Sequence, residues 1–334
     1  MKRVCRERFC GPALLFPFPG PPLPLEALLY YEHLGEHTSM RYLEKHPMIL
    51  IVVGIVGISL SSILVKYAQA PSVVTAAHRL LWTVLLMSPV VFLSGSCRAE
   101  LLHTDRRTVL LCIVSGIFLA LHFTIWFESL NHTSVASSTT IVCTEVIWVA
   151  LGWRVFLKGH LSKKACLAIA VTLAGSILIA LSDSAGGGNH LYGDILALLA
   201  AIAVAVYTLI GRIARNTTST TIYTYLVYLA CAVTLLLMTF VQGFSLTGYG
   251  VSCIVVGLLL AIFSTILGHS IFSWCLKFLS PTFVSASKLC EPAVAAVFAV
   301  FLFHEIPGPL QILGGAVIIG GVIFYSRVES RESR

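Results

Sequence analysis

The sequence predicts an all-α membrane protein of ten transmembrane helices, arranged as two inverted five-helix repeats with both termini cytoplasmic. Three observations predict it. The chain is 57% hydrophobic and only 11% charged, whereas soluble domains carry roughly 25% charged residues. From residue 47 onward, apolar runs follow one another, each near the ~20 residues that a helix needs to cross a bilayer core. The second half of the chain then repeats the first at a fixed offset.

The expected spans are 48–67, 72–93, 107–128, 134–156, 164–182, 192–212, 220–242, 251–273, 280–303 and 308–326. Gly186-Gly187-Gly188-Asn189 and Pro307-Gly308-Pro309 are two of the breaks between them. The gaps are short, so consecutive spans are antiparallel neighbours. Strands of a membrane β-barrel would be about ten residues long and alternating; these runs are twice that and uniformly apolar. Residues 1–46 differ from the rest. Pro12, Pro17, Pro19, Pro21, Pro22 and Pro24 break any helix of useful length there, and no apolar stretch with a small-residue cleavage site follows Lys2 and Arg3. The segment reads as a disordered proline-rich extension. Met40 or Met48 would each serve as a start just ahead of the first span. A peptide from residues 1–39 in mass spectrometry of the purified protein would refute a later start.

The net charge of +7 does not form a face for nucleic acid. The basic residues sit in alternate gaps: Arg98, Arg106 and Arg107, then Lys158, Lys163 and Lys164, then Arg212 and Arg215, then Lys277. The tail 327–334 adds Arg327, Arg331 and Arg334. The other gaps hold only Lys66. Lys and Arg favour cytoplasmic loops, so this asymmetry sets both termini inside a multi-pass protein of the cell (plasma) membrane. The ten cysteines are scattered. Cys112, Cys143, Cys166, Cys231, Cys253 and Cys290 lie within apolar runs and read as small apolar fillers.

Segment Ala170–Ile177 resembles Ala316–Ile323, an offset of 146 residues. The same offset carries Glu145 onto Glu291, Leu130 onto Leu276 and Lys66 onto Arg212. The two copies are expected over 47–184 and 190–326. Each holds five spans. Five is odd, so the copies must insert in opposite senses, as inverted repeats of secondary transporters do.

Over residues 47–326 the chain resembles the EamA-type branch of the drug/metabolite transporter superfamily. The second copy carries the pattern most fully: Cys290-Glu291-Pro292, then Phe303-His304-Glu305, then a tenth span with Gly314, Gly315, Gly320 and Gly321. The first copy departs from it, with Val146 in place of the proline and Gly159-His160 where a Gly-Glu end is expected. The resemblance implies export or exchange of metabolites, often amino acids or their relatives, driven by an ion or substrate gradient.

Ionisable groups within spans are costly and mark function by default. Glu145 and Glu291 stand first. Each lies about halfway along its span, and the repeat makes them equivalent, so they should meet near the midplane. A carboxyl there suits loading and release of a proton. The other reading is that they hold helices together: Lys288, three residues before Glu291, pairs with it along one helix face, and Arg79 does the same for Glu145. With Arg79 and Lys288 these form the candidate substrate and proton site. His78, His122, His269, Trp82 and Trp148 are candidate cavity walls, although packing explains a histidine or tryptophan on an apolar helix equally well. Trp126 and Trp274, near span ends, read as interfacial anchors. Pro292 removes a backbone bond and kinks span nine, while Val146 leaves span four intact. Gly54, Gly57, Ala197, Ala201, Ala205 and the span-ten glycines read as sites of close helix packing.

No phosphate-cradling loop, nucleophile elbow or zinc-binding helix is present in the sequence. The expected partners are therefore a small solute, a coupling ion such as the proton, and the lipid bilayer, with no cofactor, metal or nucleic acid. A membrane-embedded enzyme acting on lipid-linked substrates and a non-transporting scaffold are the competing classes. The first would cluster its polar groups at an interface rather than mid-span. The second would tolerate neutral replacement of both glutamates.

Overall fold

The structure is a computed structural model that describes residues 47–133, 135–183, 191–303 and 308–332. The proline-rich segment 1–46, the glycine-rich break at 186–189 and His304-Glu305 lie outside the described residues. In chain order the helices are α1 (Pro47–Ser59), α2 (Ser61–Lys66), α3 (Ser72–Leu93), α4 (Gly95–His103), α5 (Arg106–His132), α6 (Val135–Val142), α7 (Glu145–Val155) and α8 (Lys163–Asp183). The second half gives α9 (Leu191–Ala214), α10 (Thr220–Val241), α11 (Gly250–Leu259), α12 (Ile271–Cys275), α13 (Pro281–Ser287), α14 (Glu291–Phe303) and α15 (Pro309–Glu332). A π-helical stretch, Leu260–Ser270, joins α11 to α12, and a 3-10 turn, Lys288–Cys290, joins α13 to α14. Among the described residues, seven helices are long and apolar enough to cross a membrane: Pro47–Lys66, Ser72–Leu93, Arg106–His132, Leu191–Ala214, Thr220–Val241, Gly250–Cys275 and Ile312–Arg331.

Helix starts follow local chemistry. Asp105 caps α5: its Oδ2 accepts the Thr108 N–H at 3.0 Å and its Oδ1 the Thr108 hydroxyl at 2.6 Å. These bonds hold the Asp105 carboxyl below its usual range. Ser219 and Ser280 cap α10 and α13 by accepting the N–H groups of Ile222 and Phe283. The outward faces remain apolar, with Leu93, Phe240 and Val241 more than four-fifths exposed. Water would not tolerate so much bare hydrocarbon on one protein; lipid does.

The packing repeats with the sequence. α5 packs along α9, and its counterpart Gly250–Cys275 packs along Pro47–Lys66. α3 packs along α10, and α8 along α15, each helix against its own repeat partner. The broken segments obey the same rule: α13 touches α7, and α14 touches α6. The first half of one segment therefore meets the second half of the other, so the two pass in opposite directions.

The two breaks fall at the same repeat register, α7 beginning at Glu145 and α14 at Glu291. Span four is thus not intact, contrary to the expectation from Val146. A hydroxyl takes the place of the proline there. Thr144 Oγ1 donates to the Ile141 carbonyl at 2.6 Å, and the backbone tightens through Thr144 N–H to Ile141 O and Ile147 N–H to Thr144 O. Side-chain bonds of this kind compete with the helical ladder. In span nine Pro292 has no N–H for the Lys288 carbonyl. That carbonyl accepts the Glu291 N–H and the Cys143 thiol, the latter at 3.8 Å across the crossing.

Glycine sets how closely the helices approach. A Cβ on Gly57 would lie 2.6 Å from the Phe263 carbonyl oxygen of the π stretch, and one on Gly116 2.5 Å from the Val227 carbonyl oxygen. The span-ten glycines divide: Gly321 abuts Thr172, while Gly320 has nothing within 4 Å. Gly57→Ala should therefore destabilise by about 1–3 kcal/mol through overpacking. Gly320→Ala should be neutral or stabilising by up to ~1 kcal/mol through helix propensity. Unfolding of the two purified variants in detergent checks the contrast, and equal losses in both would refute it.

Candidate functional site

A small cavity of about 40 Å³ lies where α1–α2, α3, α5, the two breaks and the π stretch converge. Arg79, His122, Glu145, His269, Lys288 and Glu291 all line it. These are six of the nine residues that the sequence singled out, and they come from both repeats. All six are buried.

The charges do not pair as expected. Lys288 Nζ donates to Glu145 Oε1 at 2.8 Å, from the second repeat into the first. The pairing of Lys288 with Glu291 along one helix face is replaced, because the crossing brings Glu145 within 2.8 Å of the Lys288 ammonium group. Lys288 Nζ also lies 5.4 Å from the Phe272 ring centroid. Arg79 does not neutralise Glu145 either. Its Nε donates to Thr265 Oγ1 at 2.7 Å, its Nη1 donates to Ser61 Oγ at 3.3 Å, and its Cζ sits 4.0 Å above the Phe123 ring. Arg79 is fully buried and links α2, α3, α5 and the π stretch. The π geometry serves this site, because Thr265 faces Arg79 while its hydroxyl also donates to Leu260 O at 3.2 Å. Ser264, on the adjacent turn, lines the cavity and donates to the Gly57 carbonyl at 3.3 Å.

The histidines form one aromatic wall. His122 donates from Nδ1 to the Ala200 carbonyl at 3.0 Å. Its ring lies nearly parallel to Trp126, with centroids 5.9 Å apart. His269 meets Phe123 edge to face at 5.2 Å and lies 6.4 Å from His122. Trp126 is therefore no interfacial anchor. It is buried and lines the cavity, and its spacing of four from His122 was the available signal, since residues four apart share a helix face. Ser61, Ser264, Cys143 and Val204 also line it, and nothing in the sequence set them apart from other small polar or apolar residues.

Three expected wall residues stand elsewhere. Half-buried His78 donates from Nε2 to the Leu246 carbonyl at 2.8 Å, tying α3 to the loop before α11. Trp82 and Trp148 are half-buried and off the cavity wall. Each lies three residues beyond Arg79 or Glu145 on the same helix face, but the cavity is lined by the charged residue of each pair and not by the ring one turn further on. Glu128 lies outside the cavity too, accepting from Ser72 Oγ at 2.8 Å and pairing with His132 at 3.1 Å near the end of α5.

Apolar helices of membrane length around a buried, charged chamber shared by two repeats define a multi-pass protein of the cell membrane. The chain belongs to the EamA-like transporter family, which matches residues 46–181 and again 191–327. Two relatives carry the same broad assignment. An uncharacterized transporter of Clostridium kluyveri is 24% identical over 204 residues, covering 59% of this chain and 66% of the relative. The uncharacterized transporter YxxF of Bacillus subtilis is 26% identical over 261 residues, covering 77% of this chain and 82% of the relative. The match thus spans less than two thirds of the Clostridium protein's length. A crystal structure at 15% identity superposes with a TM-score of 0.71 over 87% of this chain and 99% of its own, a likeness of fold.

Proposed function

We propose that this protein is a secondary transporter that moves a small metabolite or amino-acid-like solute across the membrane by alternating access. Ten spans, inverted halves and cytoplasmic termini belong to this reading, as does a coupling ion, for which the proton suits buried carboxyls. The observation that carries it is the pair of breaks: α7 and α14 begin at repeat-equivalent glutamates on either side of one cavity. Discontinuous helices around a mid-membrane site are how inverted-repeat transporters bind solute and ion. A break leaves backbone groups unsatisfied in lipid unless it lines protein or water, and here both breaks line the chamber. Two packings of such segments of similar energy would open the chamber to one side or the other.

The test begins with metabolites compared between cells with and without the gene, which nominates the solute. The purified protein in liposomes should then move that solute only under an imposed ion or solute gradient. Flux that is the same in protein-free liposomes, or that survives collapse of every gradient against a concentration difference, would sink the proposal.

A further inference from the structure

We propose that α4 is a docking surface for anionic phospholipid at one face of the membrane. The inference does not depend on what the central chamber carries. At nine residues, α4 rises about 14 Å. It is too short to cross the bilayer, and it joins two spanning helices, α3 and α5. Apolar side chains turned to lipid run up to it on both sides. Leu93 is the last residue of α3, Leu110 is the fifth of α5, and both are exposed. α4 therefore lies at the boundary between acyl chains and headgroups.

One side of α4 is held by the protein. Cys97 and Leu101, four residues apart, pack against the cluster of Val91 from α3 with Ile222 and Tyr225 from α10. Glu100 Oε1 accepts the Ser219 N–H at 2.6 Å, which ties α4 to the cap of α10. α4 thus rides on a seam where the two repeats meet. The next positions round the helix turn outward. Arg98 and Leu102 are also four apart; Arg98 is exposed and Leu102 is 82% exposed. A bare leucine one turn from an arginine suits the headgroup boundary, where acyl chains take the first and anionic groups the second.

Charge selects the lipid. Arg106 and Arg107, both exposed, follow α4 after the link Thr104-Asp105, and three residues of chain reach at most ~11 Å. Among the described residues, Arg98, Arg106 and Arg107 form no ion pair. The acids of the same stretch are engaged, Glu100 with Ser219 and Asp105 with Thr108. A headgroup layer is a charged plane, so the three guanidinium groups need no common ligand atom. Each meets phosphate oxygens with a planar fork of donors, and each gains from an anionic surface. On the orientation proposed above, this is the leaflet that carries the anionic lipids.

The test is binding of acyl-labelled phosphatidylglycerol to the purified full-length chain in uncharged detergent, read by fluorescence anisotropy at constant ionic strength. Unlabelled phosphatidylglycerol should displace the probe at least about tenfold better than phosphatidylcholine with the same acyl chains. Arg98→Gln combined with Arg106→Gln should weaken binding about twentyfold, because each basic residue at an anionic surface is worth roughly fivefold. Lys163→Gln combined with Lys164→Gln removes two exposed charges from the start of α8, in another gap, and should change the affinity little. Inorganic phosphate should not compete, since it brings no acyl chain to Leu102. Equal displacement by the two lipids overturns the inference on the wild type alone. Equal losses in the two double variants would make the effect one of overall surface charge, and displacement by inorganic phosphate would make α4 a site for a soluble anion; either result also overturns it.

Discussion

Lys288→Met should lower the stability of the folded protein by about 3–5 kcal/mol, the cost of leaving a buried charge without its partner. The partner is Glu145, at 2.8 Å, with both side chains less than one-tenth exposed. No second basic group stands ready to replace Lys288, because Arg79 is turned to Thr265, Ser61 and Phe123. The loss should be largely reversed in Lys288→Met with Glu145→Gln, since removing both members of a buried pair is often nearly neutral. The pair also bridges the two repeats at their crossing. Its loss should therefore loosen the contact of α13 with α7 as well as the local pocket. Unfolding of the wild type, the single variant and the double variant in one detergent decides the matter. A single variant as stable as the double would mean that Glu145 finds another partner or takes up a proton at no cost.

Glu291→Gln should leave folding nearly intact and reduce gradient-driven flux about tenfold to a hundredfold, the worth of one charge-assisted interaction. Glutamine keeps the size and one acceptor oxygen of the side chain, puts an NH2 donor in place of the other oxygen, and cannot ionise. Glu291 has no salt bridge shorter than 4 Å among the described residues, so its replacement strands no opposite charge as tightly held as Lys288. Glu145→Gln is the contrast, because it leaves Lys288 buried without an anion and should cost stability first. The repeat equates the two glutamates, but the fold gives them different work. The measurement is initial rate in liposomes at matched protein density, with melting temperature recorded on the same preparations. Wild-type rates in Glu291→Gln, with the wild-type dependence on pH, would remove Glu291 from the transport cycle.

Much of the architecture was legible because lipid imposes simple rules. A span must be apolar for about 20 residues, and the cost of a buried charge makes each mid-span ionisable residue conspicuous. That is why Glu145, Glu291, Arg79, Lys288, His122 and His269 stood out, and why all six border one cavity. The rule overreaches at His78, which bonds to the Leu246 carbonyl off the cavity, and it is silent on residues that cost nothing to bury. Trp82, Trp148 and Trp126 have the same hydrocarbon character; spacing put the first two on the wall, and a place near a span end set the third down as an interfacial anchor. Span four shows the other failure. Its sequence has no proline, yet Thr144 diverts the Ile141 carbonyl and the helix breaks. A single hydroxyl in an apolar run carries little weight in a pattern and decides the backbone locally.

The sequence by itself determined the membrane class, the repeat, the family and which charges fall mid-span, because each depends on composition or on spacing along the chain. Only the tertiary structure decided that Lys288 pairs with Glu145 rather than Glu291, that Arg79 rests on Phe123 and Thr265, and that Trp126 faces the chamber. Those facts depend on which helices cross and at what depth. Partners 143 and 186 residues apart in the chain are chosen by that crossing, and no local period records it.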